Sequence, residues 1–231
     1  MKKNLFIFGC SGVGKSIIDT LDRLDLLNSF DVIFVETDPK YYESLFYKHF
    51  PVIPQSKLLD YHPKDQYFII SFFKPSNLFT RQSLFDELIN KFSMSPFTVV
   101  DPTAVISRSA DIGSGVYVAP RVIVDASSKI GSNSIILFNS VISREVSMGD
   151  NCFISASVVL KGSVTIGESV FISAGCLVTK NIDGPTFINA GCLINKAVEP
   201  LSVVGSKTDS LVINLPSSPD SATRKLSFLY P

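Results

Sequence analysis

Ile130-Gly131-Ser132-Asn133-Ser134-Ile135-Ile136-Leu137-Phe138-Asn139-Ser140-Val141-Ile142-Ser143-Arg144-Glu145-Val146-Ser147-Met148-Gly149 fits neither a helix nor an isolated strand. Its aliphatic residues recur at 130, 136, 142 and 148. A period of six matches neither the 3.6-residue helical turn nor the two-residue strand alternation. Extended in both directions, the series reads Ile106, Ile112, Val118, Val124, Ile130, Ile136, Ile142, Met148, Ile154, Leu160, Ile166, Ile172, Val178. With aliphatic residues at about a third of positions, an unbroken run this long is a chance event on the order of one in a million.

A second series follows each member by four residues: Ala110, Val116, Val122, Ser128, Ser134, Ser140, Val146, Cys152, Val158, Val164, Val170, Cys176, Ile182. These residues are small or β-branched. Glycine often follows the aliphatic position, at Gly113, Gly131, Gly149 and Gly167. A chain that runs straight, turns and repeats satisfies both series. Each straight piece points one large and one small residue inward, and stacked coils make ladders of a continuous core. Cys152 and Cys176 fall in the small series and read as core thiols. With Cys10 and Cys192 they form no Cys-x-x-Cys pair, and His49 and His62 are the two histidines. That inventory offers no zinc site, and reduced thiols suit a cytosolic protein.

Residues 1–100 carry a different pattern. Leu5-Phe6-Ile7-Phe8 reads as a strand, Gly9-Cys10-Ser11-Gly12-Val13-Gly14 as a glycine turn, and Ser16 to Leu27 as a helix. Val32–Val35 and Tyr67–Ser71 follow as strands, then a helix from about Asn77 to Phe92 and a last strand at Phe97-Thr98-Val99-Val100. Alternating strands and helices imply a small parallel, Rossmann-like α/β sheet. The turn also spells a phosphate loop, Gly9 and four residues before Gly14-Lys15-Ser16. Three readings of it stand: a nucleoside-triphosphate loop, a helix N-terminus for the pyrophosphate of a nucleotide sugar, or a tight turn that packs helix on sheet.

Formal net charge is zero over 231 residues, which argues against a nucleic-acid or anionic-membrane surface. The apolar run after Lys2-Lys3 stops at Gly9, short of the roughly 7–15 residues of a signal sequence. A cytoplasmic protein is therefore expected. The segment 198–231, with Leu215-Pro216-Ser217-Ser218-Pro219, reads as a draped extension in which Leu211–Leu215 could add one short strand.

Both halves together resemble the hexapeptide-repeat sugar O- and N-acyltransferases of the sialic-acid O-acetyltransferase and bacillosamine N-acetyltransferase type. The resemblance spans roughly residues 3–196 and rests on the repeat, the domain order and the opening Gly9-Cys10-Ser11-Gly12 with Lys15-Ser16-Ile17-Ile18-Asp19. It implies an all-β left-handed parallel β-helix over 101–197 with three hexapeptides per coil, a little over four coils in all. It also implies a homotrimer with sites between prisms, and acetyl-CoA as co-substrate without a metal. The acceptor it implies is a nucleotide-linked amino sugar for surface-polysaccharide synthesis, held near Gly9, Ser11, Gly12, Glu36 and Ser71. Gly162, Ser173 and Ala174 are implied beside the coenzyme.

The family's catalytic histidine-glutamate stretch is matched by Ser140-Val141-Ile142-Ser143-Arg144-Glu145, and a second family histidine by Phe153. Arginine does not deprotonate and is no general base. A hydroxyl acceptor needs such a base, whereas part of an amine is already neutral near pH 7. The substitution therefore favours N- over O-acylation, with Arg144 and Glu145 orienting the acceptor. A sugar O-acetyltransferase with another base, and a non-catalytic relative that binds a sugar nucleotide or a partner, are the alternatives.

Overall fold

The computed structural model describes residues 2–10, 12–36, 49–61, 66–73 and 79–205, and the backbone of 212–214. The expectations for Ser11, His62 and most of the C-terminal extension lie outside these residues.

The repeat folds as a parallel β-helix with three walls. The first wall stacks Val99–Val100, Tyr117–Val118, Ile135–Ile136, Phe153–Ile154, Val170–Ile172, Thr186–Ile188 and Ser202–Val204. The second runs from Val105–Ile106 to Leu193–Ile194. The third runs from Asp111–Ile112 to Thr165–Ile166 and continues through single bridges at Ile182 and Val198. Tyr117 pairs with Ile135 and Ile135 with Phe153, a coil of 18 residues. The aliphatic ladder is buried from Val118 to Val178, and the small ladder from Val116 to Ile182. Buried serines in the small ladder are satisfied internally: the Ser128 hydroxyl donates to the Ser143 carbonyl at 2.8 Å, and Ser140 to Ser155 at 2.9 Å. Without such partners each would cost about 1–3 kcal/mol.

The prism is longer than the little over four coils that the resemblance implies, since its first wall runs in register from Val99 to Val203. Phe171 pairs with Phe187, and Phe187 with Val203, so its last coils hold 16 residues. Shortening by two breaks the arithmetic of six, which is why the series stops at Ile182. Val212–Asn214 then pairs antiparallel with Ser202–Val204 and closes the first wall, at the place expected for the extension's strand.

The N-terminal region is a five-stranded sheet of β1 (Lys3–Phe8), β2 (Phe30–Val35), β3 (Val52–Ile53), β4 (Gln66–Ile70) and β5 (Ser95–Pro96). All are parallel, in the order β3-β2-β1-β4-β5. Helix α1 (Gly12–Arg23) packs Ile17 and Leu21 against Leu5, Ile7, Val32 and Phe34 on one face. Helix α2 (Thr80–Asn90) packs Phe85 and Leu88 against Phe6, Phe8, Ile33 and Val35 on the other. The side chains alternate between faces because β strands have a two-residue period. The strand expected over 97–100 is displaced: Ser95–Pro96, just before it, completes this sheet, while Val99–Val100 opens the first prism wall. Helix α1 starts four residues before its expected position and ends ahead of Asp25, which sits at φ 57°.

The sheet is fastened to the prism on its α1 side. Buried Asp101 accepts from Thr20 at 2.9 Å, from the Arg23 Nε at 2.9 Å and from Thr103 at 2.6 Å. Burial alone would raise Asp101, but the bonds from Thr103, Arg23 and Thr20 outweigh it and hold its carboxyl below the usual carboxylate range. A depressed folded pKa gives stability that is complete above the unfolded value and drains as pH falls through the folded one. We therefore expect the urea midpoint to fall between pH 6 and pH 3 by more in the wild type than in Asp101→Asn. Equal acid sensitivity would remove this role.

Candidate functional site

At the C-terminal ends of β1, β2 and β4 the chain reverses its direction across the sheet. Such switch points are where open parallel sheets hold ligands. A cavity of about 580 Å³ opens there, lined by Gly9, Glu36, Gln55, Phe72, Phe73 and one face of α2: Thr80, Ser83, Leu84 and Glu87. Gly9 lies at φ +101°, and a Cβ on it would fall 3.0 Å from Phe72 and 3.3 Å from the Ser71 hydroxyl. The Cys10 N–H donates to Glu36 at 3.1 Å, so the strand-end acid clamps the turn it faces. Ser71 is fully buried under that turn, its hydroxyl 2.8 Å from the Gly9 carbonyl and 3.0 Å from that of Phe8. It shapes the pocket from below, outside the cavity lining.

Helix α1 begins at Gly12, two residues after Cys10. A phosphate loop needs its four intervening residues to wrap an anion, and here Gly12 and Val13 are already helical. Gly14 is buried, and a Cβ on it would lie 2.7 Å from the Gly9 carbonyl oxygen. Its glycine serves helix-on-strand packing, so the triphosphate-loop reading does not fit. Around Gly12 a Cβ would meet nothing within 4 Å, which leaves the helix start open.

The remaining sequence-derived residues lie on two edges of the prism. Arg144 and Glu145 are exposed at the turn between second and third walls, with Glu145 at φ 61°. Gly162 stacks on Arg144 one coil later, where a Cβ would fall 3.2 Å from the Arg144 carbonyl oxygen and 3.5 Å from its Cγ. Glu145 accepts from Ser163 at 2.8 Å rather than from Arg144. Ser173 and Ala174 lie on the edge between first and second walls; the Ser173 N–H is bound to the Ile188 carbonyl. Within one chain these two edges bracket the second wall and are not brought together.

Phe153, the second histidine position, belongs to an aromatic column. Phe73 stacks on Phe171 at 4.4 Å, Phe171 on Phe187 at 4.5 Å, and Phe153 on Phe171 at 5.1 Å. Phe73 also lines the cavity, so the column links pocket to prism. The sequence reading missed Phe72, Phe73, Gln55 and the α2 face. The α2 face had a usable signal, since Thr80, Ser83, Leu84 and Glu87 share helical spacing. The four cysteines are buried and none is in a disulfide; burial pushes Cys152 up to about 12 and Cys176 up to about 11, which suits core packing and not nucleophilic attack.

The fold and sites define a hexapeptide-repeat prism joined to an N-terminal α/β sheet. Residues 145–180 match the bacterial transferase hexapeptide (six repeats) family. A variant of perosamine N-acetyltransferase from Caulobacter crescentus, in complex with CoA and GDP-perosamine, superposes with a TM-score of 0.78 at 22% identity, covering 91% of this chain and 97% of that one. The acetyltransferase domain of PglB from Neisseria gonorrhoeae FA1090, in complex with acetyl coenzyme A, superposes at 0.79 with 20% identity, covering 92% and 100%. WeeI from Acinetobacter baumannii AYE gives 0.56 at 15% identity, covering 90% and 99%. No curated protein matches in sequence. The resemblance to the hexapeptide-repeat sugar acyltransferases is thus met in the repeat and in the shared architecture.

Proposed function

We propose that this chain is an acyl-CoA-dependent acyltransferase, an N-acetyltransferase of a nucleotide-linked amino sugar. The single observation that carries the reading is the strand-end cavity fastened against a hexapeptide prism whose edges stay open. The structural neighbours that hold CoA and GDP-perosamine support it. On this reading residues 1–100 form a Rossmann-like acceptor domain, 101–197 a left-handed β-helix and 198–231 an extension. Three chains associate so that the edge of Arg144 and Gly162 meets the edge of Ser173 and Ala174 from a neighbour. Acetyl-CoA lies along that seam. The setting is cytoplasmic glycan synthesis.

The chemistry follows from the side chains present. The acceptor amine, neutral in part near pH 7, attacks the thioester carbonyl. The Gly162 N–H, which meets no carbonyl among the described residues, donates to the oxygen as charge develops on it. Coenzyme A leaves as the thiolate and the amine sheds its proton to water. Gly9, Gly12 and Glu36 hold the nucleotide while Ser71 supports the turn. Arg144 donates hydrogen bonds to an anionic group of the acceptor, a geometry in which a guanidinium exceeds an imidazole.

Calorimetry with acetyl-CoA, followed by free-thiol release over a panel of nucleotide amino sugars, tests the reading. Binding and thiol release are expected. No binding at millimolar acetyl-CoA would overturn it. Arg144→Ala should raise the acceptor KM roughly tenfold, the loss of about one charge-assisted bond, and leave acetyl-CoA affinity unchanged. Wild-type kinetics in that variant would return Arg144 to a structural role. A second reading, a binding protein without turnover, is favoured by Phe153 in its aromatic stack in place of the family histidine. Acceptor binding without thiol release would select it.

A further inference from the structure

Arg81 is among the most buried side chains of the protein, 1% exposed, yet it carries a full guanidinium. Its Nη1 donates to the Ile70 carbonyl at 3.0 Å and to the Phe72 carbonyl at 2.6 Å. Its Nη2 donates to the carbonyl and, at 3.0 Å, to the side-chain oxygen of Asn133 on a prism corner. Every acceptor is a neutral carbonyl. Among the described residues no carboxylate pairs with it, and its Nε has no partner. Asn133 in turn donates to Asn151, whose own Nδ2 is also unpartnered.

Stability does not account for this charge. A buried ion without a counter-ion costs several kcal/mol, on the order of what a well-packed apolar residue of similar size would recover. Desolvation pulls the guanidinium down to about 9, with Cys152 pulling weakly the other way, so it stays cationic at neutral pH. Its location gives the charge a use. Ile70 and Phe72 flank Ser71 at the end of β4, and Phe72 packs on Gly9. The cation therefore stands directly behind the glycine turn. Among the described residues the charged side chains that line the cavity are Glu36, which accepts from the Cys10 N–H, and Glu87, which pairs with Lys91. Neither brings a positive charge to an anion placed there.

We propose that Arg81 is the buried counter-charge of an anionic ligand at the β1 turn, acting through the Ile70–Phe72 backbone and without touching the ligand. This rests on the nucleotide-pocket reading and deepens it: the group recognised is a pyrophosphate, held by field as well as by N–H groups. A unit charge about 10 Å away at an effective dielectric near 20 changes the affinity for one phosphate charge by roughly tenfold. A nucleoside without phosphates gains nothing from the same charge.

The affinity ratio of diphosphate to nucleoside is therefore the readout, measured by calorimetry with GDP against guanosine and UDP against uridine. In the wild type the diphosphate should bind more tightly. Arg81→Lys keeps the charge and should keep most of the ratio. Arg81→Met should lower the ratio about tenfold and leave nucleoside affinity within a small factor. Asn133→Asp places a carboxylate 3.0 Å from Nη2, neutralises Arg81 where it stands, and should lower the ratio in the same way should Arg81→Met fail to fold. A merely structural arginine would change nucleoside and diphosphate binding together. An unchanged ratio in a folded Arg81→Met or Asn133→Asp protein, or a wild-type ratio near one, overturns the proposal and leaves the pocket reading intact. No binding of either pair to the wild type overturns the pocket reading itself.

Discussion

Gly131→Ala should unfold the prism at its waist. A Cβ at Gly131 would fall 2.3 Å from the Gly149 carbonyl carbon and 2.4 Å from its oxygen, contacts with backbone that no rotamer relieves. Gly149 is tight against Gly167 and Glu168, and Gly167 against Gly184, so the column has little room to shift upward. Both Ile130 and Met148 must stay in register with the coil above for the core to close. Overpacking in such a core costs about 1–3 kcal/mol when neighbours yield, and here the neighbours are main chain. We expect a loss of about 3 kcal/mol or more, read as a lower urea midpoint at constant m-value. Gly12→Ala is the control, because nothing lies within 4 Å of its Cβ. Equal midpoints for the two variants would mean that the coils separate more easily than their spacing suggests.

The same column explains what was legible in the sequence. A coil repeats one environment every 18 residues, so each position is written several times and the pattern averages over local exceptions. Met148 and Cys152 are such exceptions and do no harm to the reading. The α/β region has no such redundancy. Its strands were recognisable from apolar runs, but β5 consists of Ser95–Pro96 and carries no strand signal at all. It exists because Tyr67 and Phe68 present an open edge beside it. Gly9 and Glu36 were visible because a glycine turn and a strand-end acid are local features. Phe73 and Arg81 were not, since their roles depend on a prism more than 50 residues further along the chain. An arginine on an amphipathic helix ordinarily points to water, and only tertiary packing makes Arg81 an interior cation.

The three walls differ most in what they turn outward, and that contrast sets the last expected result: Val159→Asp should abolish self-association. The first wall is covered, with Tyr117 and Phe153 under the α/β region. The third wall presents Asp111, Lys129, Ser147 and Thr165, a face suited to solvent. The second presents Val105, Ile123, Val141, Val159, Leu177 and Leu193 in one straight column. Val105 is 63% exposed and Leu193 55%, although both are aliphatic. A continuous apolar stripe of this kind marks a protein interface. Its two borders are the edges that carry Arg144 with Gly162 and Ser173 with Ala174, so association through this wall is what would join them. A carboxylate at Val159 would be desolvated on the covered face at a cost of several kcal/mol, while in a single chain it would project into water and leave the coil intact. Light scattering at micromolar concentration should give a trimer for the wild type and a monomer for Val159→Asp, with unchanged far-UV dichroism. Acyl transfer should fall by orders of magnitude in the variant, whereas nucleotide binding in the strand-end cavity should survive, because the described residues that line it lie in the α/β region and not on the second wall. Ser147→Asp on the third wall should leave mass and activity as they are. A wild-type monomer, or a Val159→Asp protein that keeps both its mass and its activity, would place the transfer site within a single prism and require Arg144 to act without the opposite edge.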